Sequence, residues 1–139
     1  MALKARIIDE LRKAGHEVAD LGTNTTVAVD YPEYAKKVAL AVLSGQAERA
    51  ILICGSGAGA CVAANKFKGI RAATCHDTFS ALQCVEDDAV NVLCLGARVI
   101  GVELAVEIVR DYVAARFSGL ERHRRRLAEV ASFEDNFGK

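Results

Sequence analysis

The chain has 139 residues, of which 52% are hydrophobic and 26% are charged, and its 18 basic residues balance 18 acidic ones. This length and composition predict one globular domain over residues 1–139. Zero net charge argues against a nucleic-acid or anionic-membrane partner. The sequence shows no secretory signal and no stretch of the roughly 18 apolar residues that a membrane span requires, so we expect a cytoplasmic protein.

Helical and strand-like hydrophobic patterns alternate along the chain. The predicted elements are a helix over 3–14, a strand over 17–22, a loop over 23–30, a helix over 32–44, a strand over 49–55, a helix over 57–66, a strand over 70–75, a helix over 78–87, a strand over 91–96, a helix over 102–117 and a helix from 121 into the 130s. This order predicts an α/β fold: a three-layer, Rossmann-like, doubly wound parallel sheet. Such a fold usually begins with a strand, and that first strand is missing from the sequence given.

The cysteine pattern argues against both a disulfide framework and a metal site. The five cysteines form an odd set without a Cys-x-x-Cys pair, and most have apolar neighbours. We expect four of them to be small buried thiols. These four are Cys61, Cys75, Cys84 and Cys94.

The fifth cysteine, Cys54, ends an apolar strand and opens the glycine-rich turn Gly55-Ser56-Gly57-Ala58-Gly59. The turn has neither the Walker spacing nor the dinucleotide fingerprint. Ligands of open α/β sheets bind at the carboxyl ends of strands, and backbone N–H groups there can hold an anion. They also favour a thiolate, so Cys54 is a candidate base or nucleophile beside a bound ligand. The pattern fits proton abstraction beside a carbonyl and acyl transfer equally well.

Six motifs together resemble the type B ribose-5-phosphate isomerases and the related galactose-6-phosphate isomerase subunits. The motifs are Asp30-Tyr31-Pro32, the 51–59 segment, Ala63-Ala64-Asn65-Lys66, Gly69-Ile70-Arg71-Ala72, the 91–101 segment and Arg122-His123. The resemblance covers nearly the whole chain. It implies an aldose–ketose isomerase that acts on a sugar phosphate through an enediolate, without metal or organic cofactor.

The resemblance also implies roles for the residues of the turn. Cys54 would move the proton between C1 and C2 of the sugar, and Ser56 would hydrogen-bond the reacting oxygens, where a threonine often stands. The amides of Gly55, Gly57, Ala58 and Gly59 would stabilise the enediolate. A small or apolar residue such as Ala58 is compatible with the family pattern.

Basic residues near the end of the chain match the family's phosphate-binding positions. Arg122 and Arg126 are four residues apart, hence on one helical face, and Arg98 matches a further ligand-binding position. The alternative for this basic run is a solvated surface turn. The resemblance further implies a homodimer or homotetramer, in which the final helix, about 121–133, packs on a partner subunit and Tyr31 lies near a shared site.

The sequence departs from the family at two places. Family members open with a strand and an Asp-His pair that contacts the sugar phosphate, and this sequence starts after them, so we expect a truncated chain. Asp87 stands where the family often has a ring-opening histidine, and Asp88 occupies the next ligand position. His76 is a substitute by position, with the capped end of a strand as its alternative role.

Two functional hypotheses therefore remain. The first is an isomerase that interconverts ribose 5-phosphate and ribulose 5-phosphate, with a galactose-6-phosphate-type substrate as its variant. The second is a non-catalytic sugar-phosphate-binding protein that keeps the fold and the anion-binding turn.

Overall fold

The computed structural model describes residues 2–22 and 30–138 and forms a helix-flanked parallel sheet. Its elements are α1 (Ala2–Lys13), α2 (Tyr31–Leu43), β1 (Ala50–Cys54), α3 (Ala58–Ala64), β2 (Ala72–Thr74), α4 (Thr78–Asp88), β3 (Val92–Gly96), α5 (Val102–Ala114) and α6 (Glu121–Phe137). Most of the predicted loop over 23–30 lies outside the described residues. The remaining predicted elements, except one strand, are present with boundaries shifted by a few residues.

The described strands form one parallel sheet in the order β1-β3-β2. Ala50 and Ala72 both pair with Val92, and Cys54 pairs with Gly96, so all three strands end at the same edge. All five residues of β3 are buried, as the continuous apolar run predicts for a strand covered on both faces. The predicted α/β fold class is confirmed.

Two hydrophobic cores lie on opposite faces of this sheet. On one face, α1, α4 and α5 bury Ile7, Val85 and Ile108 against alternate residues of β3. On the other face, α2 and α3 bury small residues, among them Ala39 and Ala64, which let the helices approach the sheet closely. Tight packing of alanines on β1 and β3 thus fixes α3, and with it the turn that precedes α3.

The predicted strand over 17–22 is wrong: these residues have no regular secondary structure. A strand needs a hydrogen-bonded neighbour, and a cavity of about 1100 Å³ separates this segment from the edge of β1. Local bonds hold the segment instead, because the Asp20 carboxylate accepts from the Gly22 N–H at 3.1 Å and pairs with Lys4.

Two further boundaries differ from the prediction because side chains replace backbone partners. The Arg71 N–H donates to Asn91 Oδ1 at 2.7 Å, so β2 begins at Ala72 rather than at residue 70. The helix predicted to reach residue 117 ends at Ala114, where the Arg49 guanidinium donates to the carbonyls of Tyr112 and Ala115, each at 2.6 Å. No helix among the described residues is long and apolar enough to cross a bilayer.

Candidate active site

Cys54 and Ser56 lie in the turn between β1 and α3, at the carboxyl edge of the sheet. The Gly57 N–H donates to Cys54 Sγ at 3.1 Å, and the Ala58 N–H donates to Ser56 Oγ at 3.2 Å. These bonds orient both side chains while Ser56 keeps its own hydroxyl proton for a ligand. The Gly57 and Ala58 amides, which the resemblance assigned to the enediolate, are therefore engaged within the turn.

The backbone at Gly57 and Gly96 allows the turn to rest on β3. Gly57 has φ +84°, and a β-carbon there would lie 3.1 Å from Thr74 Cγ2 and 3.2 Å from the Leu95 carbonyl carbon. A β-carbon on Gly96 would lie 2.7 Å from the Ser56 carbonyl. Thr74 Oγ1 donates to the Gly57 carbonyl at 3.2 Å. Sequence reasoning missed Thr74, whose signal is a hydroxyl at the carboxyl end of the neighbouring strand.

Two predicted site residues, Tyr31 and Arg98, lie beside this turn in the same protomer. Tyr31, at the start of α2, packs against Gly59: a β-carbon there would meet its ring at 2.8 Å. Arg98 is exposed and donates its backbone N–H to the Gly55 carbonyl at 3.1 Å. Tyr31, Arg98 and Cys54 all line the end of the cavity beside β1.

His76 also lies at this edge, but its ring is engaged with the backbone. The Gly96 N–H donates to His76 Nε2 at 2.9 Å, so this ring nitrogen is an acceptor already in use. Asp77 caps α4 as predicted, accepting from the Ser80 N–H at 2.8 Å. These bonds favour a structural role for His76, at the capped end of β2, over a role in ring opening.

The prediction of buried thiols is confirmed for Cys75 and Cys94 but is wrong for Cys61 and Cys84, which are half-buried. Cys75 and Cys94 are buried, and burial raises the pKa of the Cys94 thiol above its ordinary value. The half-buried thiols of Cys61 and Cys84 donate to the carbonyls of Ala72 and Ala81. No group of three or more His, Cys, Asp or Glu side chains suited to a metal ion occurs in residues 2–22 and 30–138.

A second cluster of predicted site residues lies at the opposite, amino edge of the sheet. Helix α4 ends at Asp88, just before β3 begins, and Arg71, just before β2, bonds to the Ala89 carbonyl at 2.8 Å. The start of α6 joins this edge because the Ser118 N–H donates to the Glu86 carbonyl at 3.0 Å. Residues of this cluster named by the sequence are Asp87, Asp88, Arg122 and Arg126.

The strands separate the two clusters. Each strand residue advances the chain by about 3.3 Å, so the five residues of β3 put the clusters about 16 Å apart. Arg122 and Arg126 are both exposed, one turn apart on α6. Within one protomer, these arginines and Cys54 do not surround a common small ligand.

Comparison with known proteins identifies the family. Residues 1–130 match the family model described as Ribose/Galactose Isomerase. The chain belongs to this family. Its relatives include ribose-5-phosphate isomerase B of Escherichia coli strain K12, which is 44% identical over 132 residues, covering 95% of this chain and 88% of that protein.

Two further relatives bear on substrate and fold. D-erythrulose-4-phosphate isomerase of Pectobacterium atrosepticum is 45% identical over 118 residues, covering 84% of this chain and 78% of that protein. The crystal structure of ribose-5-phosphate isomerase B from Mycoplasma genitalium with bound ribulose-5-phosphate superposes with a TM-score of 0.91 at 38% identity. That match covers 97% of this chain and 90% of the other. The resemblance predicted from the motifs is confirmed.

Proposed function

We propose that this chain is an aldose–ketose isomerase that interconverts ribose 5-phosphate and ribulose 5-phosphate through an enediolate. The observation that carries this proposal is the turn after β1 in a member of the isomerase family, where Cys54 Sγ accepts the Gly57 N–H beside the Ser56 hydroxyl. A sulfur base and a hydroxyl donor stand side by side at the edge where α/β sheets bind ligands.

The proposed chemistry is proton transfer between neighbouring carbons. Cys54, as a thiolate, takes the proton from C2 of the open-chain aldose, and the C–H electron pair forms the enediolate while the C1 carbonyl oxygen becomes negative. Ser56 donates to that oxygen. Gly59, at the second position of α3, adds an N–H without an acceptor in its own helix. The ketose forms when the C2 hydroxyl gives up its proton, O1 takes one through the Ser56 hydroxyl, and the carbon-derived proton returns from Cys54 to C1, so the sum needs no external oxidant.

Ring opening and phosphate binding fall to the second cluster of residues. Asp87 stands at the family's ring-opening position, with its side chain 35% exposed. Arg122 and Arg126 supply two guanidinium groups for a phosphate and Asp88 a further polar contact, while Arg98 adds a ligand contact from the side of the Cys54 turn. Because about 16 Å of sheet separates this cluster from Cys54 in one protomer, we assign the two clusters of one site to two subunits.

A homodimer or homotetramer with shared sites therefore accompanies the proposal. Helix α6 supports it, since Val130, Phe133 and Phe137 are 49%, 56% and 78% exposed. Apolar side chains in such a row are typical of a surface that another subunit covers. We place the enzyme in the cytoplasm, where its five free thiols stay reduced.

Two alternatives have specific support. One relative is named for a four-carbon sugar phosphate and the family model includes galactose isomerases, so the length of the sugar varies within the family and a galactose 6-phosphate-type substrate is the alternative. An aspartate at the ring-opening position, Asp87, favours a non-catalytic sugar-phosphate-binding homologue.

The test is a coupled assay of ribulose formation from ribose 5-phosphate, with galactose 6-phosphate and erythrose 4-phosphate compared at equal concentration. We expect turnover with ribose 5-phosphate at the highest kcat/KM, and a loss of at least 10³-fold in Cys54→Ala. Cys61→Ala, a thiol of similar burial outside the turn, is the matched control and should retain activity. Phosphate-sensitive binding without turnover of any sugar would support the non-catalytic alternative.

A mixing experiment tests the shared site separately. Cys54→Ala and Arg122→Gln subunits are each expected to be inactive as homo-oligomers. Dissociated and reassociated together, they form hybrids in which one site combines an intact Cys54 from one subunit with an intact Arg122 from the other. Activity should reappear in the mixture, and complete inactivity of hybrids verified by mass would contradict the shared site.

A further inference from the structure

Helix α6 is attached to its own protomer at its first turn by a single buried side chain. Of the 17 residues of α6, His123 is the buried one, with 6% of its surface exposed. At the far end, Glu134 accepts the Gly69 N–H at 3.0 Å and Asp135 pairs with Lys68. The first turn, which carries Arg122, therefore depends on the surroundings of His123.

Both ring nitrogens of His123 have polar partners. Nδ1 lies 2.5 Å from Ser118 Oγ, and that hydroxyl oxygen also accepts the Leu120 N–H at 3.2 Å. Nε2 lies 3.6 Å from Asp87 Oδ1 at the end of α4, an ion pair when the ring is protonated. Ser118 is itself bound to α4, since its N–H donates to the Glu86 carbonyl at 3.0 Å.

This arrangement orients the ring rather than merely filling space. An apolar side chain of similar size would fill the same volume, but it would leave Ser118 Oγ and the Asp87 carboxylate without this shared partner. The Phe117 ring, 6.5 Å from the imidazole between centroids, closes one side. A side chain held at both nitrogens and packed by a neighbouring ring has one available orientation.

The imidazole thus connects two groups that the proposed reaction uses. Arg122 is the adjacent residue and Arg126 follows one turn later on the same face. Asp87 is the contact on the other side of the ring. Any displacement of His123 changes the separation between the arginines and the carboxylate.

We propose that His123, held between Ser118 and Asp87, is a positioning residue of the isomerase site. It sets the first turn of α6 against the end of α4, so that the phosphate-binding arginines and the ring-opening carboxylate are presented to one substrate at a fixed spacing. The inference rests on the proposed function for the roles of Arg122, Arg126 and Asp87. The contacts that carry it are independent of that function.

The experiment compares His123→Asn, whose amide nitrogen reaches only the Ser118 side, with His123→Gln, whose longer amide reaches Asp87. Arg124→Gln, an exposed neighbour on α6, is the matched control. We expect His123→Asn to raise KM for ribose 5-phosphate at least tenfold and to speed amide hydrogen exchange over residues 121–126, with solution mass unchanged. His123→Gln should recover part of the affinity, and Arg124→Gln should change KM less than twofold.

A double-variant comparison shows whether His123 acts through Asp87. In an Asp87→Asn background, His123→Asn should lower kcat/KM less than threefold further, because the shared contact is already weakened. Unchanged exchange and unchanged KM in His123→Asn, or fully multiplicative losses in the double variant, would overturn the proposal. If both His123 variants lost thermal stability and oligomer to the same extent, His123 would have a packing role alone, and this result would also overturn the proposal. An inactive wild type would instead contradict the proposed function, and hydrogen exchange would still test the role of His123.

Discussion

The ring of Tyr31 covers Gly59 so closely that a β-carbon at position 59 would lie 2.8 Å from Tyr31 Cζ and 3.1 Å from its hydroxyl oxygen. Tyr31 is 48% exposed and shares the cavity end with Cys54, so its side chain has room to turn away from that end. The added methyl of Gly59→Ala should therefore displace the tyrosine from the site while leaving α3 intact.

We expect Gly59→Ala to lower kcat/KM at least tenfold, measured in the ribulose assay. Gly101→Ala is the matched control, since a β-carbon at that position has no heavy atom within 4 Å. Adding Tyr31→Ala to Gly59→Ala should relieve the clash and restore the thermal midpoint without restoring activity. Full activity in Gly59→Ala would contradict a role for Tyr31 in the site.

The second prediction separates backbone strain from close packing at the turn. Gly45 and Gly57 have nearly equal φ values of +82° and +84°, but a β-carbon at Gly45 meets open space whereas one at Gly57 meets Thr74, Leu95 and Gly96. Gly45→Ala should lower the free energy of unfolding by about 1–2 kcal/mol through the left-handed backbone alone. Gly57→Ala should cost roughly 1–3 kcal/mol more. Urea unfolding measures both, and equal losses would contradict the packing argument.

The third prediction concerns acid stability at the contact between α1 and α5. Hydrogen bonds from Arg110 and then Arg6 hold the pKa of Glu10 below its ordinary value. A lowered carboxyl pKa stabilises the fold at pH values above the unfolded pKa of about 4.3, and this contribution is lost as the pH falls through the folded pKa. Glu10→Gln should therefore lower the thermal midpoint at pH 7.

The size of that effect should shrink as the pH falls from 7 toward 3, and it should vanish once the pH is below the lowered pKa of the folded carboxyl, where the wild-type side chain is itself protonated. Glu107→Gln, an exposed glutamate on the same α5 helix as Arg110, should show little change at either pH. A difference between wild type and Glu10→Gln that is as large at pH 3 as at pH 7 would assign the effect to packing instead.

The fourth prediction concerns thiol reactivity. Cys54 lines the cavity end, whereas Cys94 and Cys75 are 0% and 4% exposed and burial raises the pKa of Cys94. Iodoacetamide should modify Cys54 first, with inactivation following that single modification, as read by peptide mass spectrometry. Ribose 5-phosphate should slow the reaction. Early modification of a different cysteine with loss of activity would contradict the role of Cys54.

The strands β1 and β3 and the Cys54 turn could be predicted from the sequence because their signals are local. A continuous apolar run, a cysteine and glycines at the strand end are all read from neighbouring residues. The segment over 17–22 shows the limit of such signals. Its alternating pattern is that of a strand, but pairing depends on a distant neighbour, and the Asp20 side chain satisfies the local backbone at Gly22 instead.

His123 shows a second limit. Its neighbours in sequence are charged, so the pattern predicts an exposed side chain, and only the approach of α6 to the end of α4 buries it. The position of Asp87 and Cys54 at opposite edges of the sheet, in contrast, could be predicted from the order of helices and parallel strands. That separation follows from α4 running back along the sheet before β3 begins.

The contact between Gly96 and Ser56 ties the reactive turn to the most deeply buried part of the molecule. Val92, Leu93, Cys94 and Leu95 are each 0% exposed, and the turn rests directly on the end of their strand. The base is thus supported by a fully buried strand and is organised before any ligand arrives. Movements that admit substrate and release product must then come from the exposed residues around the turn, such as Tyr31 and Arg98, while enlarging substitutions deep in β3 should impair turnover as severely as changes in the turn itself.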